Sequence, residues 1–159
     1  MTEQPQPTTA EPETLTQLEE AAADTDAPRV GIIMAAQSDM DTMSGAERVL
    51  KEARVRAEIR VISAHRDPDA LADYCKNARM RGLKVIIAGA GLSATLPGLA
   101  AAYTDLPVIG VPLSSRLSAG GGLDALLSVV QMPPGVPVAC VGLDNAKNAG
   151  HLALRMLNA

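Results

Sequence analysis

A hydroxyl, an imidazole and a guanidinium stand close together in Ser63-Ala64-His65-Arg66, just ahead of Asp67-Pro68. Histidine gains and loses a proton near neutral pH, as a proton shuttle must. Arginine can grip a phosphate through two parallel N–H···O bonds, and a serine hydroxyl adds a further donor. The trio therefore suits proton transfer on a phosphorylated ligand. The competing reading is a structural loop histidine beside a surface charge. The other histidine, His151, falls in a helical stretch without partner signals and reads as structural. A lone loop histidine next to an arginine favours chemistry.

Three further segments bear on that chemistry. Ala35-Ala36-Gln37-Ser38-Asp39 joins small residues to the start of a helix, which is a ready anion site; on this loop alone, Ser38 or Asp39 acting as a helix cap is the stronger reading. Gly89-Ala90-Gly91-Leu92-Ser93-Ala94-Thr95-Leu96-Pro97-Gly98 lets backbone approach a flat ligand closely, or is a plain tight turn. It lacks the GxGxxG spacing of a dinucleotide site, and no acidic residue is placed for a ribose after the second strand. Ser114-Ser115-Arg116 and Ala119–Gly122 form a loop that reads equally as lid, subunit contact or linker.

These segments need a frame that holds them together. A short continuous apolar run predicts a strand over Arg29–Met34, and further short segments predict strands over Ala57–Ile62, Lys84–Ala88, Pro107–Val111 and Pro137–Val141. Helical spacing predicts helices over Asp41–Ala53, Asp67 to about Arg81, Leu96–Tyr103, Leu123–Gln131 and Asp144–Leu157. Gly89–Ala94 reads as a turn. Five alternations imply a parallel sheet with right-handed crossovers and helices on both faces. Ligands bind such sheets beyond the carboxyl ends of the strands, where the candidate segments fall. Small residues in Asn145–Gly150 predict close packing against a neighbour.

Composition bounds the class. The 159 residues suit one domain, and 47 % are hydrophobic with two Tyr and no Phe or Trp. A core of Val, Ile, Leu, Ala and Met follows, and base stacking on aromatic rings is disfavoured, so nucleic acid is not an expected partner. Residues 1–28 hold seven acidic residues and no Lys or Arg, which leaves the remainder at +3 within an overall −4. They predict a disordered acidic tail with a possible short helix over Glu13–Ala23, ahead of a folded domain 29–159. Cys75 and Cys140 stand apart and predict reduced thiols in the cytoplasm. Neither a signal peptide nor a membrane-length apolar run is visible. No clustered His, Cys or carboxylate spacing suggests a metal.

The motifs SAHRDP, IIAGAG, LPG, PVIGVP, LLSVVQMP, GVPVA and NAKNAG occur in this order from Arg29 to about Leu157. In this the chain resembles the class I PurE family, the N5-carboxyaminoimidazole ribonucleotide mutases. The resemblance implies a flavodoxin-like three-layer α/β/α sandwich assembled as a homo-octamer, acting in purine biosynthesis on a small ribonucleotide and CO2 without any cofactor. The implied reaction moves a carboxylate from the exocyclic nitrogen to C4 of the imidazole, by decarboxylation, capture of the CO2 and recarboxylation. By position, His65 resembles the general acid–base residue. Ser63, Arg66 and Ser38 resemble phosphate ligands, Asp39 the ribose ligand, and Gly89, Ala90 and Gly91 the wall around ring and CO2.

The chain departs from the family pattern around that pocket. The first loop of the family usually reads Gly-Ser-x-Ser-Asp, where this chain has Ala35 and Ala36. The third usually reads GAGGAAHLPG, where Leu92 replaces a glycine and Thr95 a histidine. Met40 replaces a frequent Trp, Asp144 a frequent glycine, and the loop with Gly120–Gly122 is longer. These changes raise two alternatives: a carboxylase or decarboxylase of the same build acting on another heteroaromatic nucleotide, and a non-catalytic nucleotide binder.

Overall fold

A computed structural model describes residues 27–159. Residues 1–26 of the predicted tail, with the helix over Glu13–Ala23, lie outside the described residues. Five parallel strands form one sheet: β1 (Val30–Met34), β2 (Ala57–Val61), β3 (Val85–Gly91), β4 (Val108–Leu113) and β5 (Ala139–Cys140). The helices are α1 (Met40–Glu52), α2 (Pro68–Lys76), α3 (Leu96–Tyr103), α4 (Leu123–Val130) and α5 (Ala146–Leu157). The strand order β2-β1-β3-β4-β5 is the flavodoxin-like order.

Period-two alternation divides the core between the two faces. Val30, Ile32 and Met34 of β1, with Val85 and Ile87 of β3, pack under α1 and α5. Ile33, Ile86, Ala88 and Ala90 pack under α2, α3 and α4. Every residue of β1 and β4 is buried, as expected for strands covered on both faces. No polar or charged residue among those described is fully buried.

The small residues of Asn145–Gly150 find their neighbour within this chain. A Cβ added at Gly150 would lie 2.9 Å from the Ala46 carbonyl oxygen and 3.0 Å from the Val49 Cβ. The α1–α5 approach therefore requires the absence of a side chain there. The start of α5 is also later than expected. Asn145 caps it by accepting the Asn148 N–H at 3.1 Å, while Asp144 sits outside at φ +58°.

Two other boundaries differ by three residues or more. Helix α2 stops at Lys76 and continues as turns to Gly82, because the Asn77 amide donates to the Asp73 carbonyl oxygen at 3.0 Å and competes for the helical bond. Gly82, at φ +91°, then reverses the chain. Strand β3 runs three residues past the expected end. Gly89, Ala90 and Gly91 are ladder residues opposite Val111, Pro112 and Leu113, so the expected turn begins only at Leu92.

Candidate active site

Register brings the three candidate loops to one level. Met34 lies opposite both Val61 and Gly89, so β1 and β2 end side by side and β3 runs two residues beyond them. Two bonds extend the ladder one step further: the Ala35 N–H donates to the Gly89 oxygen at 3.1 Å, and the Ile62 N–H to the Met34 oxygen at 2.9 Å. Beyond β1, the chain turns to α1 on one face; beyond β3, it turns to α3 on the other. This reversal opens the crevice typical of doubly wound sheets. A cleft of about 630 Å³ lies there.

From the first loop Ala35, Ala36, Ser38 and Asp39 line the cleft. A single 3-10 turn over Gln37–Asp39 leads into α1. The Asp39 carboxylate accepts the Ala36 N–H at 3.1 Å and so folds the loop back on itself. The cap expected of Ser38 or Asp39 is not formed: no side chain caps α1, and the Asp39 carboxylate, which faces the cleft, stabilises the preceding turn instead. Burial raises its pKa above the usual carboxylate range, while the Ala36 bond pulls the other way.

From the second loop come Ser63, His65 and Arg66. The Ser63 hydroxyl accepts the Arg66 N–H at 3.3 Å, which tightens the turn and leaves the hydroxyl proton free to donate. Asp67 caps α2 by accepting the Ala70 N–H at 3.1 Å, and Pro68 occupies the first helical position. Both His65 and Arg66 are solvent-exposed, and no ion pair among the described residues engages the guanidinium.

The third loop differs from the expectation. Gly91 lines the cleft, together with Leu92 and Ser93. Ala90 instead lines a recess of about 30 Å³ beside His65, with Ala35, Ala64, Thr95 and Leu96 among its walls. Gly89 reaches neither space, because its Cα faces the Met43 sulfur in the core. The Thr95 hydroxyl lies 3.1 Å from His65 Nε2.

Two of the sequence departures prove to be backbone specials. Leu92 has φ +54° and Asp144 φ +58°, a left-handed region that glycine adopts without cost. Asp144 uses the conformation: its carboxylate accepts the Ser114 N–H at 2.8 Å and the Ser114 hydroxyl at 2.5 Å. That clasp fastens the loop after β4, whose Ser115 and Leu117 reach the cleft rim. Sequence reasoning did not single out Ser93, Ser115 or Leu117 as site residues. The position just after a strand was the available signal for Ser93; nothing local marked Leu117. His151 is exposed on α5 and lines no part of the cleft. Among the described residues no cluster of three or more His, Cys, Asp or Glu is gathered.

Fold and cleft together define a doubly wound α/β protein with an imidazole and a guanidinium on one cleft at its topological switch point. Comparison with known proteins gives the family. The AIR carboxylase family model matches residues 29–159, and the chain belongs to that family. It is 56 % identical over 131 residues to the N5-carboxyaminoimidazole ribonucleotide mutase of Pyrococcus abyssi, covering 82 % of this chain and 74 % of that one. It is 57 % identical over 133 residues to the Mycobacterium tuberculosis H37Rv protein of the same name, covering 83 % and 75 %. The solved structure of Treponema denticola PurE superposes with a TM-score of 0.73 at 29 % identity, over 82 % of this chain and 80 % of that one.

Proposed function

We propose that the chain is an N5-carboxyaminoimidazole ribonucleotide mutase, an isomerase of purine biosynthesis. The carrying observation is the placement of His65 and Arg66 on one cleft, in a chain whose relatives bear that name at better than half identity. The carbamate C–N bond breaks, CO2 departs, and the exocyclic nitrogen takes a proton from His65. The recess beside His65, large enough for one small molecule, holds the CO2. C4 attacks the CO2 carbon, and His65 takes the C4 proton, which restores its starting state. No net proton is consumed. Arg66, Ser63 and Ser38 hold the phosphate, and Asp39 accepts from the ribose hydroxyls. Gly91 and Ala90 wall the ring and the recess; Gly89 supports them from behind.

Three coarser features accompany this reading. No helix among the described residues is long and apolar enough to cross a membrane, and we assign the protein to the cytoplasm. Leu123, Leu127 and Val130 form an exposed apolar stripe on α4, which supports assembly into a homo-octamer. The catalytic domain is residues 29–159, the span that the AIR carboxylase family model matches.

The test is turnover of the N5-carboxylated nucleotide to the C4-carboxylated product by purified protein, beside a His65→Asn variant. We expect turnover by the first and a loss of at least about 10³-fold in kcat for the second, at unchanged Tm. Full activity in the variant would sink the role of His65. A second reading is favoured by Leu92, whose side chain occupies the cleft rim where the family usually has glycine. It is carboxylation or decarboxylation of another heteroaromatic nucleotide, and failure of the standard substrate with the folded enzyme would select it.

A further inference from the structure

Thr95 occupies the residue before α3, where a threonine hydroxyl ordinarily accepts an N–H of the first turn. It does not do so: no side-chain bond caps this helix. Two features explain why. Thr95 is already helical, at φ −76° and ψ −18°, and its carbonyl accepts the Leu99 N–H at 3.0 Å. Pro97, in the first turn, has no N–H to offer. The hydroxyl is released and lies 3.1 Å from His65 Nε2. Its backbone is pinned by the tight turn after Leu92, where the Thr95 N–H donates to the Ser93 oxygen at 2.7 Å. A β-branched side chain on a fixed backbone has little rotamer freedom. No hydrogen bond from Nδ1 is seen among the described residues.

We propose that Thr95 is the positioning residue for His65: its hydroxyl oxygen accepts the Nε2 proton and leaves Nδ1 as the nitrogen that exchanges a proton with the substrate. The inference rests on His65 being the acid–base group. The alternative polarity, with the hydroxyl donating to Nε2, would place the neutral ring's proton on Nδ1 and remove the lone pair that must accept the C4 proton. With the hydroxyl accepting, the imidazolium gives up its Nδ1 proton, the neutral ring keeps Nε2–H, and Nδ1 is ready to act as base. The ring orientation is the same in both halves of the cycle, as in other orienter–histidine pairs.

Thr95→Val removes the hydroxyl at nearly constant shape, and Thr95→Ser restores it. We expect kcat to fall about tenfold in Thr95→Val with KM unchanged, and to return to within about twofold of wild type in Thr95→Ser. In wild-type protein labelled with 15N-histidine, neutral His65 should show the shifts of a single Nε2–H tautomer. Wild-type kcat in Thr95→Val, a change confined to KM, or an Nδ1–H tautomer in the wild-type spectrum would each overturn the proposal. The wild-type spectrum decides even where Thr95→Val fails to fold. His65→Asn separates the two levels. If it retains activity, the acid–base assignment fails; if it is inactive while Thr95→Val is fully active, this inference alone fails.

Discussion

The seam between α1 and α5 and the carboxyl edge of the sheet are built on opposite terms. At the seam, Ala46, Ala149 and Ala153 are buried, and Gly150 sits so close to the Ala46 carbonyl that any side chain would collide. Steric fit decides every residue there. At the edge, His65, Arg66 and Ser93 are exposed, and single hydrogen bonds set their geometry. The seam supplies stability that the edge then uses. Leu92 and Asp144 at that edge hold left-handed backbone at a cost of roughly 1–2 kcal/mol each, which only an over-determined scaffold tolerates.

The sharpest way to break this contrast is Gly150→Val. Overpacking against backbone should cost about 3 kcal/mol, seen as a Tm drop of roughly 10 °C, while kcat of the remaining folded enzyme stays within about twofold. An unchanged Tm would show that the seam is not sterically set.

A smaller effect concerns the Cys75 thiol, packed under the sheet. Burial pushes its pKa from 9.0 up to about 11, with Arg81 opposing. An unfolded chain releases this proton first, so the stability due to the neutral thiol is full below pH 9 and is lost as pH rises to about 11. Urea melts at pH 8, 9, 10 and 11 should show this decline, and Cys75→Ala should flatten it. An equal slope in both proteins would place the alkaline loss elsewhere.

The smallest effect has the opposite sign. Leu92→Gly should raise stability by about 0.5 kcal/mol, because relief of the left-handed strain slightly exceeds the added freedom of the unfolded chain. Leu92 is 42 % exposed, so little burial is lost. A decrease in Tm would mean that the side chain supports the rim by packing.

Much of the frame was legible. Continuous apolar runs marked β1, β3 and β4, because strands covered on both faces need apolar residues at every position, whereas the edge strand β2 carries Glu58 and Arg60 and is only half-buried or exposed. Leu96–Tyr103 was read to the residue, since Pro97 and the flanking Thr residues punctuate it. The end of β3 was misread. Gly89-Ala90-Gly91 has the composition of a turn, yet β4 holds all three residues as ladder and β1 holds Gly89, and a side chain at Gly91 does not fit: a Cβ there would lie 2.9 Å from the Leu113 oxygen. On the cleft, Ser63, His65 and Arg66 were recognisable because a contiguous four-residue turn needs no long-range information. Gly89 was placed at the pocket wall by the family resemblance, whereas alternation turns its Cα toward Met43.

Residue types and their order were enough for the α/β class, the sheet edge where the cleft lies and the family. Those depend on periodicity and local motifs, which are properties of the chain. The fold alone brought Thr95 against His65 across thirty positions of sequence, fastened Ser114 to Asp144 over a similar distance, and gave Leu92 and Asp144 their left-handed backbone. Each of these depends on which strands lie side by side and at what register, and that is decided by the packing of the whole sheet rather than by any segment of it.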